Sequence, residues 1–241
     1  MLTQSQVRQM QERVTRTLAQ AGIVLTLQEQ TQIEVVDFAG RKLTTNSAER
    51  APNELFIHIC VYETRPDVMA VARTQAEYVE AFGVAGVPIR PVHDFGAILM
   101  GHTPVHPEPR LVTIRERGEA TARALGNRAS LMLRGNGCVV VGRSIQEAVV
   151  RAIFLEESAR LQYRALVIRQ ARHGDGAIAV FDDAEIAEIG TDLGRADRID
   201  RKWRSLLVDA GRTPPALPAA LPPADVAPAG GGSDRPPRGS A

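Results

Sequence analysis

The chain has 241 residues, with 29 Lys and Arg against 28 Asp and Glu for a formal charge of +1. That balance excludes a dedicated nucleic-acid binder, whose phosphate affinity rests on concentrated cations. Two cysteines, Cys60 and Cys138, both inside apolar runs, read as small buried hydrophobes in a reduced compartment, and neither a signal peptide nor a membrane-length apolar segment is read. The expectation is a cytoplasmic protein with no nucleic-acid partner and no membrane partner.

In chain order, Thr3 or Ser5 caps a first helix with Val7, Met10, Val14 and Leu18 on one face, closed by Ala21 and Gly22. Gln28 to Phe38 offers a strand at Ile33, Val35 and Val36, and Ala39 to Arg41 turn it into a polar loop that reaches Asn53. The block Asn53 to Gln75, NELFIHICVYETRPDVMAVARTQ, organises the rest. Leu55, Ile59 and Tyr62 recur at helical spacing, and Glu54 and His58 stand on one face, an acid beside an imidazole. Thr64-Arg65-Pro66 ends that helix, because proline disfavours helical geometry in the residue before it and has no amide to donate. Val68 to Ala72 follows as a strand, with Arg73, Thr74 and Gln75 at its exit, where sites are commonly built.

Ala76 to Phe82 predicts one to two helical turns, and Gly83 to Gly86 a break. Val87 to Met100 predicts two short strands around a bend that carries His93 and Asp94, and Gly101 to Arg110 a loop with His102 and His106. Without helical geometry that histidine spacing does not bring two imidazoles together on a metal. Leu111 to Ile114 predicts a strand, and Arg115 to Leu125 a helix ended by Gly126 and Asn127. Ser130 to Leu133 and Cys138 to Val141 form a hairpin-like pair around Arg134-Gly135-Asn136-Gly137.

Ser144 caps a long helix, with Glu147 as its reciprocal partner. Its apolar positions cover more than one stripe, which predicts burial on two sides, one of them a neighbouring subunit. A second helix runs from Asp182 to about Asp209. Residues 212–241 are rich in proline, glycine and alanine and predict a disordered tail behind one domain of residues 1–211. Short strands alternating with helices point to an α/β fold with a mixed sheet covered by helices.

The organising block resembles the class II aldolase and adducin family, whose pattern reads E-x-x-x-H-x-x-(I/V)-Y-x-x-R-P-D-V-x-A-V-V-H-x-H. Glu54, His58, Tyr62, Arg65, Pro66, Asp67, Val68, Ala70 and Val71 fall on it in register. The resemblance covers roughly residues 30–210 and implies an αβα three-layer fold around a largely antiparallel sheet, with a homotetramer whose sites lie between subunits. The family's two metal-binding histidines land on Arg73 and Gln75, and the histidine of its later R-G-H-G turn lands on Asn136. A G-N-x-S-x-R strand and a Pro-x-Gly turn, which hold a substrate phosphate in the family, have no counterpart between Gly22 and Asn53.

The resemblance thus implies a lyase-type enzyme without the usual metal, with no cofactor expected, acting on a small anionic carbonyl or carboxylate substrate through an enolate-like intermediate. Glu54 occupies the family's acid/base position. Arg73 supplies a fixed positive charge in place of the metal, suited to a two-pronged hydrogen bond to an oxyanion. Gln75, Asn136, Arg134, His58 and His93 are the candidate substrate-binding residues. A structural ion pair between Glu54 and Arg73 is the competing reading, and a non-catalytic, adducin-like assembly protein the competing function.

Overall fold

Among the described residues of this computed structural model, four short strands make the central sheet, in the order β1, β4, β3, β2. The structure describes residues 36–41, 52–173 and 177–214. The expected first helix, most of the expected first strand and all but the first three residues of the expected disordered tail lie outside these residues. β1 (Ala70–Thr74) runs antiparallel to β4 (Cys138–Gly142), which runs antiparallel to β3 (Ser130–Leu133); β2 (Val105–His106) is parallel to β3. The sheet is therefore mixed and mainly antiparallel, with helices on both faces.

Alternation along the strands divides the interior into two cores. On one face Leu131, Leu133, Val139 and Val141 pack against Ile57, Cys60 and Val61 of α1 (Leu55–Thr64) and Ala122 and Leu125 of α4 (Arg115–Leu125). On the other face Met132, Cys138 and Val140 pack against Val79 and Phe82 of α2 (Glu77–Ala85), Val150, Phe154 and Leu155 of α5 (Ile145–His173), and Ile199, Trp203 and Leu207 of α7 (Ala196–Asp209). α1 and α4 meet backbone to backbone at Gly118, where an added Cβ would lie 2.5 Å from the Phe56 carbonyl. Cys60 and Cys138 are free and buried, as small core residues.

The α1–β1 connection follows from its own side chains. The Arg65 guanidinium grips Asp67 through Nε at 2.8 Å and Nη2 at 2.7 Å and donates from Nη1 to the Gly126 carbonyl at 2.6 Å, pinning the end of α1 to the end of α4. The Val68 amide closes a turn on the Arg65 carbonyl at 3.0 Å. That turn consumes Val68, so the strand begins at Ala70, two residues later than the pattern predicted.

Other expectations are corrected by local hydrogen bonding. Val87 to Met100 does not form two strands: Ile89 makes only an isolated bridge to Thr103, and Asp94–Ala97 is a short helix, α3. The Asp94 carboxylate accepts the Phe95 amide at 2.9 Å, and Pro91 denies this stretch a strand partner's donor. Leu111 to Ile114 is not a strand, since Thr113 folds back onto the Leu111 carbonyl at 2.9 Å. Two residues of the expected loop, Val105 and His106, do pair with β3. The single helix expected from Asp182 is two, α6 (Asp183–Leu193) and α7, separated at Gly194, with Asp182 and Glu185 forming the capping box of α6. At the start of α5 the Ser144 hydroxyl accepts the Glu147 amide at 3.1 Å, but the Glu147 carboxylate accepts the Arg143 amide at 2.7 Å, one residue short of a reciprocal box.

Candidate active site

The spacing places Glu54 inside α1; it stands instead one position before it, at the N-cap, with φ −96° and ψ 28°. Its side chain makes no capping bond and turns across the end of the sheet. Oε1 accepts the Asn136 Nδ2 amide at 2.9 Å and the Val112 backbone amide at 3.2 Å. Oε2 forms an ion pair with Arg73 Nη2 at 3.2 Å.

Arg73 reaches this face because of its register opposite Val139 in β4. Its Nη2 also donates to Asn136 Oδ1 at 2.5 Å, and its Nη1 to the Thr74 carbonyl at 2.8 Å. Its Nε is buried without a hydrogen-bond partner among the described residues. Asn136 sits in the β3–β4 turn between Gly135 and Gly137, at φ 66° and 64°, a region that favours glycine. Gly137 is doubly constrained, because an added Cβ would lie 2.0 Å from the Thr74 carbonyl and 2.7 Å from Arg73 Nη1. Gln75 Nε2 completes the group at 3.5 Å from Asn136 Oδ1.

Glu54, Arg73 and Asn136 thus close a ring of polar contacts, with Gln75 at its edge. Solvent still reaches it: the Arg73 side chain is 14% exposed and that of Glu54 20%. His58 is half-buried on α1. Burial holds its imidazole below the usual range; the Glu54 carboxylate opposes that shift and the Arg73 guanidinium reinforces it. The arrangement is a fixed cation flanked by two amides and a carboxylate, able to hold an oxygen on which negative charge develops and to move a proton beside it.

The remaining sequence candidates lie elsewhere. Arg134 donates from Nε to the Pro107 carbonyl at 2.8 Å and is exposed. His93 lies beside α5, on the opposite face of the sheet, with Nε2 3.1 Å from the Ser158 hydroxyl and Nδ1 3.4 Å from Asp94. Sequence reasoning missed the Val112 amide, which reaches Glu54 because the expected strand there is an irregular segment. Among the described residues no three His, Cys, Asp or Glu side chains gather as a metal ion would require.

Residues 10–163 match the model described as the Class II Aldolase and Adducin N-terminal domain, and the chain belongs to that family. It is 31% identical over 190 residues to a 3,4-dihydroxyphthalate decarboxylase of Arthrobacter keyseri, covering 75% of this chain and 73% of the relative. A second protein of that name, from Rhodococcus jostii, is 30% identical over 171 residues, covering 69% and 68%. An L-fuculose phosphate aldolase of Escherichia coli is 29% identical over 138 residues, covering 57% and 61%. The solved structure of an L-fuculose 1-phosphate aldolase superposes with a TM-score of 0.58 at 20% identity, over 67% of this chain and 72% of that one, which establishes the αβα fold. With relatives named as decarboxylases and aldolases, the chain is a lyase-type enzyme.

Proposed function

We propose that the chain is a metal-independent decarboxylase of a small carboxylate that bears an oxygen on the carbon next to the one losing CO2. Where that carbon is saturated, loss of CO2 delivers its bonding electron pair into conjugation with the neighbouring carbonyl as an enolate; where it belongs to an aromatic ring, the proton adds to it first, with the neighbouring oxygen as a ketone, and loss of CO2 then returns the pair to the ring as a phenolate. Arg73, with the amides of Asn136 and Gln75, holds that oxygen, where charge grows as the bond breaks, and Glu54 relays one proton from solvent to the carbon. The sum is R–COO⁻ plus H⁺ giving R–H plus CO2. In the substrate Arg73 grips that oxygen and not the departing carboxylate, because a cation on the leaving group would stabilise the substrate more than the transition state; in an unreactive probe such as benzoate, which has no such oxygen and loses no CO2, the carboxylate itself takes the guanidinium.

The observation that carries this reading is the Arg73 guanidinium, 3.2 Å from the Glu54 carboxylate and 2.5 Å from Asn136 Oδ1. The divalent metal implied by the family does not fit these side chains. A guanidinium is a cation without a free lone pair, Asn136 Oδ1 already accepts from it, and Gln75 offers a weak neutral ligand in place of an imidazole. Decarboxylation is favoured over aldol cleavage because two relatives that match over two thirds or more of their length, and at 30% identity or above, are named as decarboxylases.

Purified protein given 3,4-dihydroxyphthalate should release CO2 at a rate that excess chelator does not change, and elemental analysis should find no stoichiometric zinc, iron or manganese. Activity that disappears with chelator and returns with one metal would overturn metal independence. No CO2 from any hydroxylated aromatic dicarboxylate would overturn the substrate class.

We also propose a homotetramer. The second half of α5 leaves Leu161, Tyr163, Leu166, Val167 and Ile168 exposed, a run of apolar side chains that supports burial against another copy. Light scattering should report four chains, and a monomer across micromolar concentrations would refute assembly.

A further inference from the structure

The sequence pattern predicts a loop at His106, but the residue forms half of β2, paired in register with Leu133 of β3. Parallel partners point to the same face of a sheet. Val105, opposite Met132, packs with the α5 core, whereas Leu133 belongs to the α1 and α4 core. The His106 imidazole therefore lies on the face that carries Glu54 and Arg73. It also lies at the same end, because Leu133 leads directly into the turn that holds Asn136.

The backbone closes this corner. The Arg134 amide donates to the His106 carbonyl at 3.1 Å, Arg134 Nε donates to the Pro107 carbonyl at 2.8 Å, and the same segment ends where the Val112 amide reaches Glu54 at 3.2 Å. Residues 106–112 are thus a strap from the strand edge to the acid/base carboxylate, with His106 at its origin.

At that position His106 Nε2 is buried and has no hydrogen-bond partner among the described residues. A buried ring nitrogen left unpaired destabilises the fold, and such groups are rare unless something outside the protein completes them. Arg73 Nε, in the proposed site itself, is likewise buried and unpaired among the described residues.

Resting on the function proposed above, we infer that His106 is a further substrate-contacting residue, whose Nε2 meets a hydroxyl group of an aromatic carboxylate seated on Arg73. A neutral imidazole presents one donor and one acceptor nitrogen, and a hydroxyl can answer either. Burial, opposed by the Glu108 carboxylate, holds this imidazole below the usual range and so favours the neutral form. An anchor of this kind selects hydroxylated over plain aromatic acids, because the unhydroxylated ligand leaves the buried nitrogen unpaired.

The test compares binding of 3,4-dihydroxybenzoate and benzoate by calorimetry in the wild-type protein, His106→Leu, His106→Gln and Arg73→Met. The wild type should prefer the dihydroxy acid at least tenfold. His106→Leu should reduce that preference to within about twofold, and His106→Gln, which keeps a donor and an acceptor, should restore part of it. Because Leu removes an unpaired polar atom without leaving a cavity, His106→Leu should also melt a few degrees higher than the wild type. Preference that survives in His106→Leu, an equal loss in both His106 variants, or a lower melting temperature for His106→Leu would each overturn the inference. Benzoate binding that is unchanged in Arg73→Met would instead strike the underlying reading of the site, whatever the His106 variants do.

Discussion

Arg73 carries the contacts of three residues at once, to Glu54, Asn136 and Thr74, and its replacement separates binding from folding. Arg73→Met should weaken benzoate binding by about 1.5 to 3 kcal/mol, the range for hydrogen bonds to charged groups, while the Glu54 carboxylate keeps its two amide donors and the protein still melts cooperatively. Glu54→Gln should behave in the opposite sense. It preserves shape and abolishes turnover, yet it frees Nη2 from an internal carboxylate, so benzoate should bind more tightly than to the wild type; calorimetry and CO2 release measured on one preparation decide both. His58 supplies a pH signature. Its folded-state pKa lies below the ordinary 6.5, so the unfolded chain takes up protons first as pH falls. The stability it contributes is complete above about 6.5 and is lost as pH falls through the lowered value. Melting temperature should therefore decline between pH 7 and 5, less steeply in His58→Gln; identical slopes would refute that assignment. At this scale the register of the organising block singled out Glu54 and Arg73, and that of the later Arg134-Gly135-Asn136-Gly137 turn singled out Asn136; in the structure the three side chains lie in mutual contact. The Val112 amide and His106 were hidden, because one is a backbone group and the other gained its face from a two-residue strand pairing with no pattern of its own.

Elements with strong local signals matched their residues: Arg115–Leu125 between a polar start and Gly126, and Ser130–Leu133 as a run of four buried residues. Those settled by tertiary contact did not. Val87 to Met100 is apolar enough for a strand, but its chain is diverted where Ile89 bridges Thr103 and Phe181 donates its amide to the Pro91 carbonyl at 2.9 Å. Helices α6 and α7 share one amphipathic character, and only the geometry at Gly194 divides them. The β3–β4 turn is the element on which the site depends most. Gly137→Ala should cost about 2 kcal/mol or more in thermal or denaturant melting, from the left-handed backbone and the approach to the Thr74 carbonyl, and should abolish CO2 release by displacing Asn136. Gly118→Ala drives a Cβ against the Phe56 carbonyl between α1 and α4, so it should lower stability comparably while a folded remainder keeps its ligand affinity. Equal loss of affinity per folded molecule in both would deny the turn its special place.

The whole molecule is a thin sheet with a different interior on either side. Glu54, Arg73, Asn136 and Val112 come from four separate segments, and the span from Glu54 to Asn136 alone is 82 positions along the chain, so the site has no existence short of the assembled α1–sheet–α4 face. Trp203, the chain's single tryptophan, lies on the opposite side among Ile199, Leu207 and the α5 residues. The two faces thus carry independent reporters of unfolding: indole fluorescence for one core, benzoate retention for the other. If the sheet couples them into one cooperative unit, both signals should vanish at the same urea concentration with the same steepness. If the sheet parts from one layer first, an intermediate should appear that has lost one signal and kept the other, and the order of loss would name the layer that folds last.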